Sequence, residues 1–283
     1  LCLILYPYIS NYLFENRADG IVSAVEAQSE SAEDNQYDDD IEAAKAYNEN
    51  LVTGKIKLKD PFDENAEDED TKEYKSLLNM TEDGVMGFIK IPSIDVSLPI
   101  YHGTSEETLE KGAGHLQGTS LPIGGPSTHT VITGHTGLSS AKLFTDLIEL
   151  EEGDIFFLNV MGEKMAYKID QIQKVLPKDI DSLTIEDGKD YCTLVTCTPY
   201  GVNTHRLLVR GERVDYEDAV NEPSNFEVKK TQSKWQEEYA KSIIIASSVF
   251  LAMMAALLTF RYIMAKREEK KRQKRRRKRK KRR

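Results

Sequence analysis

The stretch TLVTCTPYGVNTHRLLVRGER, residues 193–213, contains two short apolar runs joined by a turn-forming Pro-Tyr-Gly segment. The first run ends at Cys197 and the second begins at Arg206. Such runs, separated by Pro and Gly, are typical of strands, so the stretch predicts a hairpin with a long loop. Pairing of the two strands would bring Arg206 beside Cys197, whereas Arg210 has the same face parity but lies about 13 Å further along.

Cys192 and Cys197 lie in the same predicted strand, five residues apart. Because side chains alternate along a strand, the two cysteines point to opposite faces, and a disulfide between them is geometrically implausible. Cys192 is the better candidate for the core. Cys197 ends the strand, where a side chain at the mouth of a barrel meets a substrate. Taken alone, either cysteine is more often a small core residue than a nucleophile.

The same pattern of short apolar runs and turn residues extends over residues 84–214. There, Gly, Pro, Asp and Asn separate alternating runs such as GFIKI, VSLPIY, THTVITG and DIFFLNV. Many short strands with turn signals between them predict an all-β barrel or sandwich. Two brief helices are predicted within this region, near residues 105–111 and 141–147.

A catalytic cysteine needs a nearby proton acceptor or a positive charge, because an ordinary thiol is only a few per cent thiolate at neutral pH. Histidine is the usual acceptor. His135 differs from the other histidines because it follows the run HTVIT in a Gly-His-Thr-Gly turn, at another predicted strand end. His129 opens that run and would lie toward its opposite end. The remaining three are His102, His115 and His205.

Three features of the chain occur in a recognisable order: the GHTG turn at His135, TLVTC some sixty residues later, and Arg206 nine positions after Cys197. In this order and spacing they resemble a sortase, a cysteine transpeptidase of the Gram-positive cell surface. The resemblance covers roughly residues 40–215. It implies an all-β fold: a closed, eight-stranded sortase-type barrel with short helices, an N-terminal helix and lid loop, and a C-terminal transmembrane helix.

Within that family, TCTPYGVNTHRLLVRG and the triplet Asp60-Pro61-Phe62 are similar to the pilus-assembling class C enzymes. In those enzymes an N-terminal lid lays an Asp-Pro-aromatic motif over the active site. The resemblance therefore implies that Asp60 engages Arg206, and that Phe62 packs near Cys197 until it is displaced.

The resemblance also implies the chemistry. Cys197 would attack the carbonyl between Thr and Gly of an LPXTG-like sorting signal, His135 would protonate the leaving amine, and Arg206 would stabilise the oxyanion or hold the substrate. A lysine of the next pilin would resolve the thioacyl enzyme into an isopeptide bond. No cofactor is expected, and no metal, because the acidic runs lack the central Gly of a Ca²⁺ loop.

Two other kinds of enzyme and one non-enzyme remain as alternatives. A sortase that anchors single proteins to the cell wall would use a peptidoglycan amine as acceptor. An extracellular cysteine peptidase would transfer the acyl group to water. A non-catalytic adhesin or stalk protein would not depend on Cys197 at all.

The region before the barrel is acidic. Residues 1–20 look like the end of a truncated N-terminal signal or membrane segment, and we expect residues 20–40, rich in acidic residues, Ser and Asn, to be unstructured or marginal. A short amphipathic helix is predicted from Asp39 to a stop at Gly54, with Glu42 as its capping-box partner. Its apolar positions are Ile41, Ala44, Tyr47 and Leu51. Residues 60–73, with eight Asp or Glu, are predicted to form a loop.

The C-terminal end carries charge of the opposite sign. Residues 266–283 contain 15 Lys or Arg and two Glu, which leaves residues 1–265 with 23 basic and 45 acidic residues, a formal charge of −22. The 19 residues 242–260 carry no charge and would span about 28 Å as a helix, close to the thickness of a bilayer core. They predict a transmembrane helix rather than a buried core helix.

The basic residues that follow the apolar segment place the C-terminus in the cytoplasm and the barrel outside. Their position beside a membrane helix favours anionic lipid headgroups over nucleic acid as the partner of the tail. The expected location is thus the plasma membrane of a Gram-positive bacterium. The predicted boundaries are 1–20 (end of the membrane or signal segment), 21–83 (helical and lid region), 84–215 (catalytic barrel), 216–241 (polar stalk), 242–264 (transmembrane helix) and 265–283 (basic tail).

Overall fold

The barrel predicted from the alternating runs is present in the computed structural model, which describes residues 2–33, 35–53, 58–62, 71–138, 140–179, 181–229 and 234–280. Its strands are Val85–Ile91 (β1), Val96–His102 (β2), Ala113–His115 (β3), Thr128–Thr133 (β4), Ile155–Val160 (β5), Glu163–Val175 (β6), Asp190–Thr198 (β7) and His205–Val214 (β8). They close in the order β1-β2-β3-β4-β7-β8-β6-β5. The predicted closed eight-stranded barrel is confirmed.

Helices precede, interrupt and follow the barrel. The described α-helices are Cys2–Glu30 (α1), Asp38–Thr53 (α2), Lys72–Ser76 (α3), Glu106–Lys111 (α4), Tyr216–Asn221 (α5) and Lys234–Lys280 (α6). Short 3₁₀ turns lie at Pro92–Ile94, Thr145–Glu149, Asp181–Leu183 and Pro223–Phe226. The helix predicted near residues 105–111 is α4, whose N-cap is Ser105. The chain divides into two compact units, residues 1–231 and 232–283.

The expectation that residues 20–40 are unstructured or marginal is wrong, because α1 continues to Glu30. Ala18, Val22 and Val25 follow the i, i+4, i+7 spacing of one helix face, and all three are buried in the main apolar cluster. Glu26, on the same helix, forms an ion pair with Lys90 of β1 at 2.9 Å. Packing of this apolar face against the barrel therefore stabilises the helix. The acidic composition of the segment does not reveal this face.

Two further local predictions need correction. The helix expected near residues 141–147 is a loop followed by the 3₁₀ turn Thr145–Glu149, because Leu143 has a positive φ of 44° and the Phe144 N–H bonds to the carbonyl of His135 instead of continuing a helix. The sequence pattern does not predict strand β3. Its three residues are too few to show an alternating pattern.

The register of three neighbouring strands positions the candidate site. β4 runs parallel to β7, with Thr133 opposite Val195. β7 runs antiparallel to β8, with Cys197 opposite Arg206. The ends of β4 and β7 and the start of β8 therefore meet at one edge of the barrel.

The second unit contains α6. The part of this helix that is apolar enough to cross a membrane lies within Tyr239–Arg272. Its most apolar 18 residues have a mean hydropathy of 2.4, and none of them is buried. Within the described residues, it is the one helix long and apolar enough to cross a membrane. The prediction that residues 1–20 end a membrane segment stays a prediction.

Helix α2 is attached to the barrel region by a polar contact that the apolar pattern did not reveal. Ile41, Ala44 and Leu51 are buried as predicted, and Asn48 on the same face is also buried. Its side chain accepts a hydrogen bond from the Leu121 N–H at 2.7 Å and donates one to the Leu121 carbonyl at 3.2 Å. The Leu121 carbonyl also accepts from the Ile123 N–H at 2.8 Å, so the Leu121 N–H is the group that depends on Asn48.

Replacing Asn48 with Ala should destabilise the protein by about 1–3 kcal/mol, because the buried Leu121 N–H loses its hydrogen-bond partner. We expect a lower thermal unfolding midpoint for the full chain in detergent, followed by circular dichroism. Glu49→Ala changes an exposed position on the same helix and should leave the midpoint nearly unchanged. Equal midpoints for the two variants would show that the contact does not hold α2 in place.

Candidate active site

Cys197 lies at the end of β7 and is half-buried, whereas Cys192 is fully buried in the apolar cluster. Burial raises the pKa of Cys197 to about 11; the nearby Arg206 guanidinium lowers the pKa and the Asp60 carboxylate raises it. Burial also raises the pKa of Cys192, well above the ordinary value. Of the two, only Cys197 combines partial exposure with a cationic neighbour.

Arg206 is buried and held by four hydrogen bonds. Its Nε donates to Asp60 Oδ1 at 2.8 Å and its Nη2 donates to Asp60 Oδ2 at 2.5 Å, a bidentate ion pair. Its Nη1 donates to the carbonyls of Asn203 and His205 at 3.1 and 3.2 Å. The β7–β8 loop and the first residue of β8 thereby fix one side of the guanidinium, and the segment containing Asp60 covers the other.

His135 comes level with Cys197 through the parallel pairing of β4 and β7. The Gly134 N–H bonds to the Val195 carbonyl at 3.0 Å, and the Thr196 hydroxyl donates to the Gly134 carbonyl at 2.7 Å. These bonds carry the pairing one residue beyond the end of β4. In the same register, the next residue on each chain is His135 on one side and Cys197 on the other.

The turn at His135 is held from behind by the following loop. The His135 carbonyl accepts a hydrogen bond from the Phe144 N–H at 3.0 Å. A Cβ atom at Gly134 would lie 2.6 Å from the Phe144 ring, so any larger residue there would displace the ring. Gly137 has a positive φ of 78°, and its N–H bonds to the Thr145 hydroxyl at 3.1 Å. Both glycines of the Gly-His-Thr-Gly turn are therefore required by geometry.

The imidazole of His135 lies in a mixed environment. Burial lowers its pKa, and the carboxylates of Glu106 and Glu110 on α4 act in the opposite direction. Glu106 Oε2 lies 3.4 Å from His135 Nε2, within the distance of an ion pair but without the geometry of a regular hydrogen bond. Sequence reasoning predicted α4 but not this contact, because the face that a short helix turns to the barrel is set by tertiary packing.

Asp60, Pro61 and Phe62 lie over these side chains. The Phe62 ring is 5.0 Å from the Arg206 guanidinium carbon and 5.8 Å from the centre of the His135 ring. It is therefore near both groups at once. Phe62 also packs on a small apolar cluster formed by Leu116, Val131, Leu183, Val195 and Leu208. Residues 63–70 of the predicted acidic loop lie outside the described residues.

Of the other four histidines, three lie inside the fold, and His205 contributes its backbone carbonyl to Arg206. His102, His115 and His129 are buried and hydrogen-bonded within the fold, and burial lowers the pKa of each, to about 3 for His115. His205, at the start of β8, has its Nδ1 2.9 Å from the Thr204 hydroxyl. In the described part of the chain, no group of three or more His, Cys, Asp or Glu side chains is arranged to hold a metal ion.

Comparison with known proteins identifies the same region. The family model described as the sortase domain matches residues 89–214. Sortase A of Streptococcus agalactiae serotype III (strain NEM316) is 33% identical over 131 residues, which are 45% of this chain and 52% of that protein, so the chain spans about half of this relative's length.

Two solved structures match over more of the chain. Sortase C-1 of Streptococcus pneumoniae is 46% identical, with a TM-score of 0.65, over 70% of this chain and 99% of that one. A pilus-related sortase C of Group B Streptococcus is 43% identical, with a TM-score of 0.62, over 68% of this chain and 96% of that one. Identity of this degree over nearly the whole of both structures, together with a domain match that contains His135, Cys197 and Arg206, means that the chain belongs to the sortase family.

Proposed function

We propose that this protein is a membrane-anchored transpeptidase that cleaves an LPXTG-like sorting signal between Thr and Gly and joins pilin subunits through lysine isopeptide bonds. The main support is the meeting of Cys197, His135 and Arg206 at one barrel edge beneath Asp60 and Phe62. The assignment to pilins, rather than to the cell wall, rests on that cover and on the similarity to a sortase C named as pilus-related.

In the first half of the proposed reaction, the Cys197 thiolate attacks the carbonyl carbon of the sorting-signal Thr. A C–S bond forms, and the negative charge that develops on oxygen is stabilised by the N–H donors of Arg206. The C–N bond to Gly then breaks, and the His135 imidazolium gives its proton to the leaving amine. The products are a thioacyl enzyme and a peptide that begins with Gly.

In the second half, the uncharged ε-amine of an acceptor lysine attacks the thioester carbon. A C–N bond forms, the C–S bond breaks, and the amine's excess proton returns to His135 as the Cys197 thiolate leaves. Water competes with the amine at this step. A covered, partly apolar site favours transfer to the amine because it limits the access of water.

The pKa directions indicate which protonation state is populated while the site is covered. The pKa of Cys197 is about 11 and that of His135 is lowered by burial, so both groups are mainly uncharged at neutral pH. The reactive thiolate–imidazolium pair is then a minor species. Asp60 makes this pair rarer still. Its negative charge disfavours the thiolate, and its two oxygens occupy two N–H donors of Arg206.

We also propose that α6 anchors the protein in the plasma membrane of a Gram-positive bacterium, with the basic tail in the cytoplasm and in contact with anionic lipid headgroups. The uncharged segment followed directly by basic residues supports this orientation.

The proposed orientation can be checked in cells that express the full chain. A membrane-impermeant amine reagent should label lysines of residues 84–215 and leave the lysines of residues 266–283 unlabelled until the membrane is permeabilised. Labelling of the tail in intact cells would contradict the orientation.

The reaction itself can be tested with the full chain in detergent, a pilin that carries a sorting signal, and a second pilin as lysine donor. Wild-type protein should give a lysine-linked product detectable by mass spectrometry. Cys197→Ala should abolish it. Cys192→Ala, which removes the buried thiol, should retain it.

The alternatives predict other products. Hydrolysed signal with no effect of the acceptor pilin would indicate a peptidase, and transfer only to a peptidoglycan amine would indicate wall anchoring. Activity that survives Cys197→Ala would exclude a role for this thiol.

The cover is tested by the reactivity of Cys197 toward iodoacetamide as a function of pH. Asp60→Ala removes the charge that raises the Cys197 pKa and releases Arg206, which lowers it, so alkylation should reach half-maximal rate at a lower pH. The control is Asp170→Ala, because Asp170 forms a similar bidentate pair with Arg210 on the same strand. That variant should behave as wild type.

Phe62→Ala separates the effect of cover from that of charge. Loss of its apolar contacts, worth about 1.5 kcal/mol, should raise alkylation and signal cleavage by about tenfold, with a smaller shift of the pH midpoint than in Asp60→Ala. Unchanged labelling and cleavage in Phe62→Ala would show that the segment is not a lid.

A further inference from the structure

Glu106 faces His135 from the first turn of α4. Its Oε2 is 3.4 Å from His135 Nε2. The glutamate side chain is 70% exposed and the histidine side chain 14% exposed, so a mostly hydrated carboxylate lies against a mostly buried ring. Glu110, one turn further along α4, acts on the same imidazole.

The placement of Glu106 follows from how α4 is fixed. The Ser105 hydroxyl accepts a hydrogen bond from the Thr108 N–H at 3.2 Å and caps the helix, and Leu109 is buried beneath it. Positions four apart lie on the same side of a helix, so Glu106 and Glu110 share the side toward His135. The adjacent Glu107 instead pairs with Lys111 at 2.6 Å.

The other charged groups around the imidazole come from β8 and from the segment that covers it. They are Arg206 and Asp60, which largely cancel each other in their bidentate pair. The thiol of Cys197 is uncharged at neutral pH while its pKa stays near 11. The remaining field at His135 is therefore negative and comes from α4.

We propose that Glu106 is a positioning residue whose carboxylate faces His135 Nε2 and stabilises the imidazolium form that protonates the leaving amine. This rests on the proposed transpeptidation. A carboxylate facing Nε2 favours a proton on that nitrogen, which leaves Nδ1 to exchange the proton with substrate. Glu106 keeps its charge throughout, and no proton is transferred to it.

The consequence for the rate follows from the protonation states. When the thiol pKa lies above the imidazole pKa, the acid limb of the pH profile of kcat/KM reports the imidazole. A lower imidazole pKa moves that limb to lower pH. It also reduces the fraction of the thiolate–imidazolium pair, by the factor by which the acid dissociation constant of the imidazolium rises. Loss of a carboxylate beside His135 should produce both changes together.

Glu106→Gln should lower the plateau of kcat/KM for the sorting-signal substrate by about two- to fivefold, the size expected for a solvent-screened ion pair, and shift the acid limb to lower pH to match. Glu106→Asp, which keeps the charge, should recover part of the rate. The control is Glu107→Gln on the same turn of α4, which should retain the wild-type profile. Profiles that coincide for Glu106→Gln and Glu107→Gln would overturn the proposal.

A second measurement does not depend on activity. Nuclear magnetic resonance of the full chain in detergent, with labelled histidine, should show a lower titration midpoint for His135 in Glu106→Gln and a neutral form protonated at Nε2 in the wild type. An unchanged His135 titration would overturn the role of Glu106 whatever the rates. A shifted titration in a protein that transfers no sorting signal would contradict the proposed function and leave the Glu106–His135 contact established.

Discussion

The arrangement of the site depends on the hydrogen-bond register of three strands. The parallel pairing of β4 with β7 brings His135 level with Cys197, and the antiparallel pairing of β7 with β8 sets Arg206 opposite the same cysteine. A shift of one residue in either pairing would turn a side chain to the other face of the barrel. Burial of both faces of β4 and of most of β7 therefore fixes the chemistry as well as the fold.

The electrostatic environment of this site disfavours the reactive thiolate–imidazolium pair of Cys197 and His135. Burial favours the uncharged thiol and the uncharged imidazole, and so disfavours thiolate and imidazolium alike. Arg206 and Glu106 oppose these two effects, one at each partner. Because Asp60 neutralises Arg206, removal of the covering segment changes the balance at Cys197 more than at His135.

Local patterns predicted most of the barrel, because alternation and turn residues act within a few positions. They also predicted the hairpin from β7 to β8, whose two strands are joined by one loop. The pairing of β4 with β7 was beyond such reasoning, since it joins residues about sixty positions apart and no local signal specifies which strands become neighbours. The contact of Glu106 with His135 and the burial of Val22 on α1 were not predicted either, because both depend on tertiary packing that local sequence patterns do not specify.

The ion pair of Asp60 with Arg206 makes opening of the site depend on what replaces it. When the covering segment leaves, Asp60 regains its hydration in water, and Arg206 loses its bidentate partner and keeps the carbonyls of Asn203 and His205 as acceptors. Loss of a bidentate, charge-assisted ion pair costs free energy, so the empty open state is disfavoured. A substrate oxygen that accepts from the released Nε and Nη2 removes this cost. Binding of the sorting signal and displacement of Asp60 are thus coupled through one guanidinium group, and the covering segment selects for ligands that present an acceptor oxygen at that position.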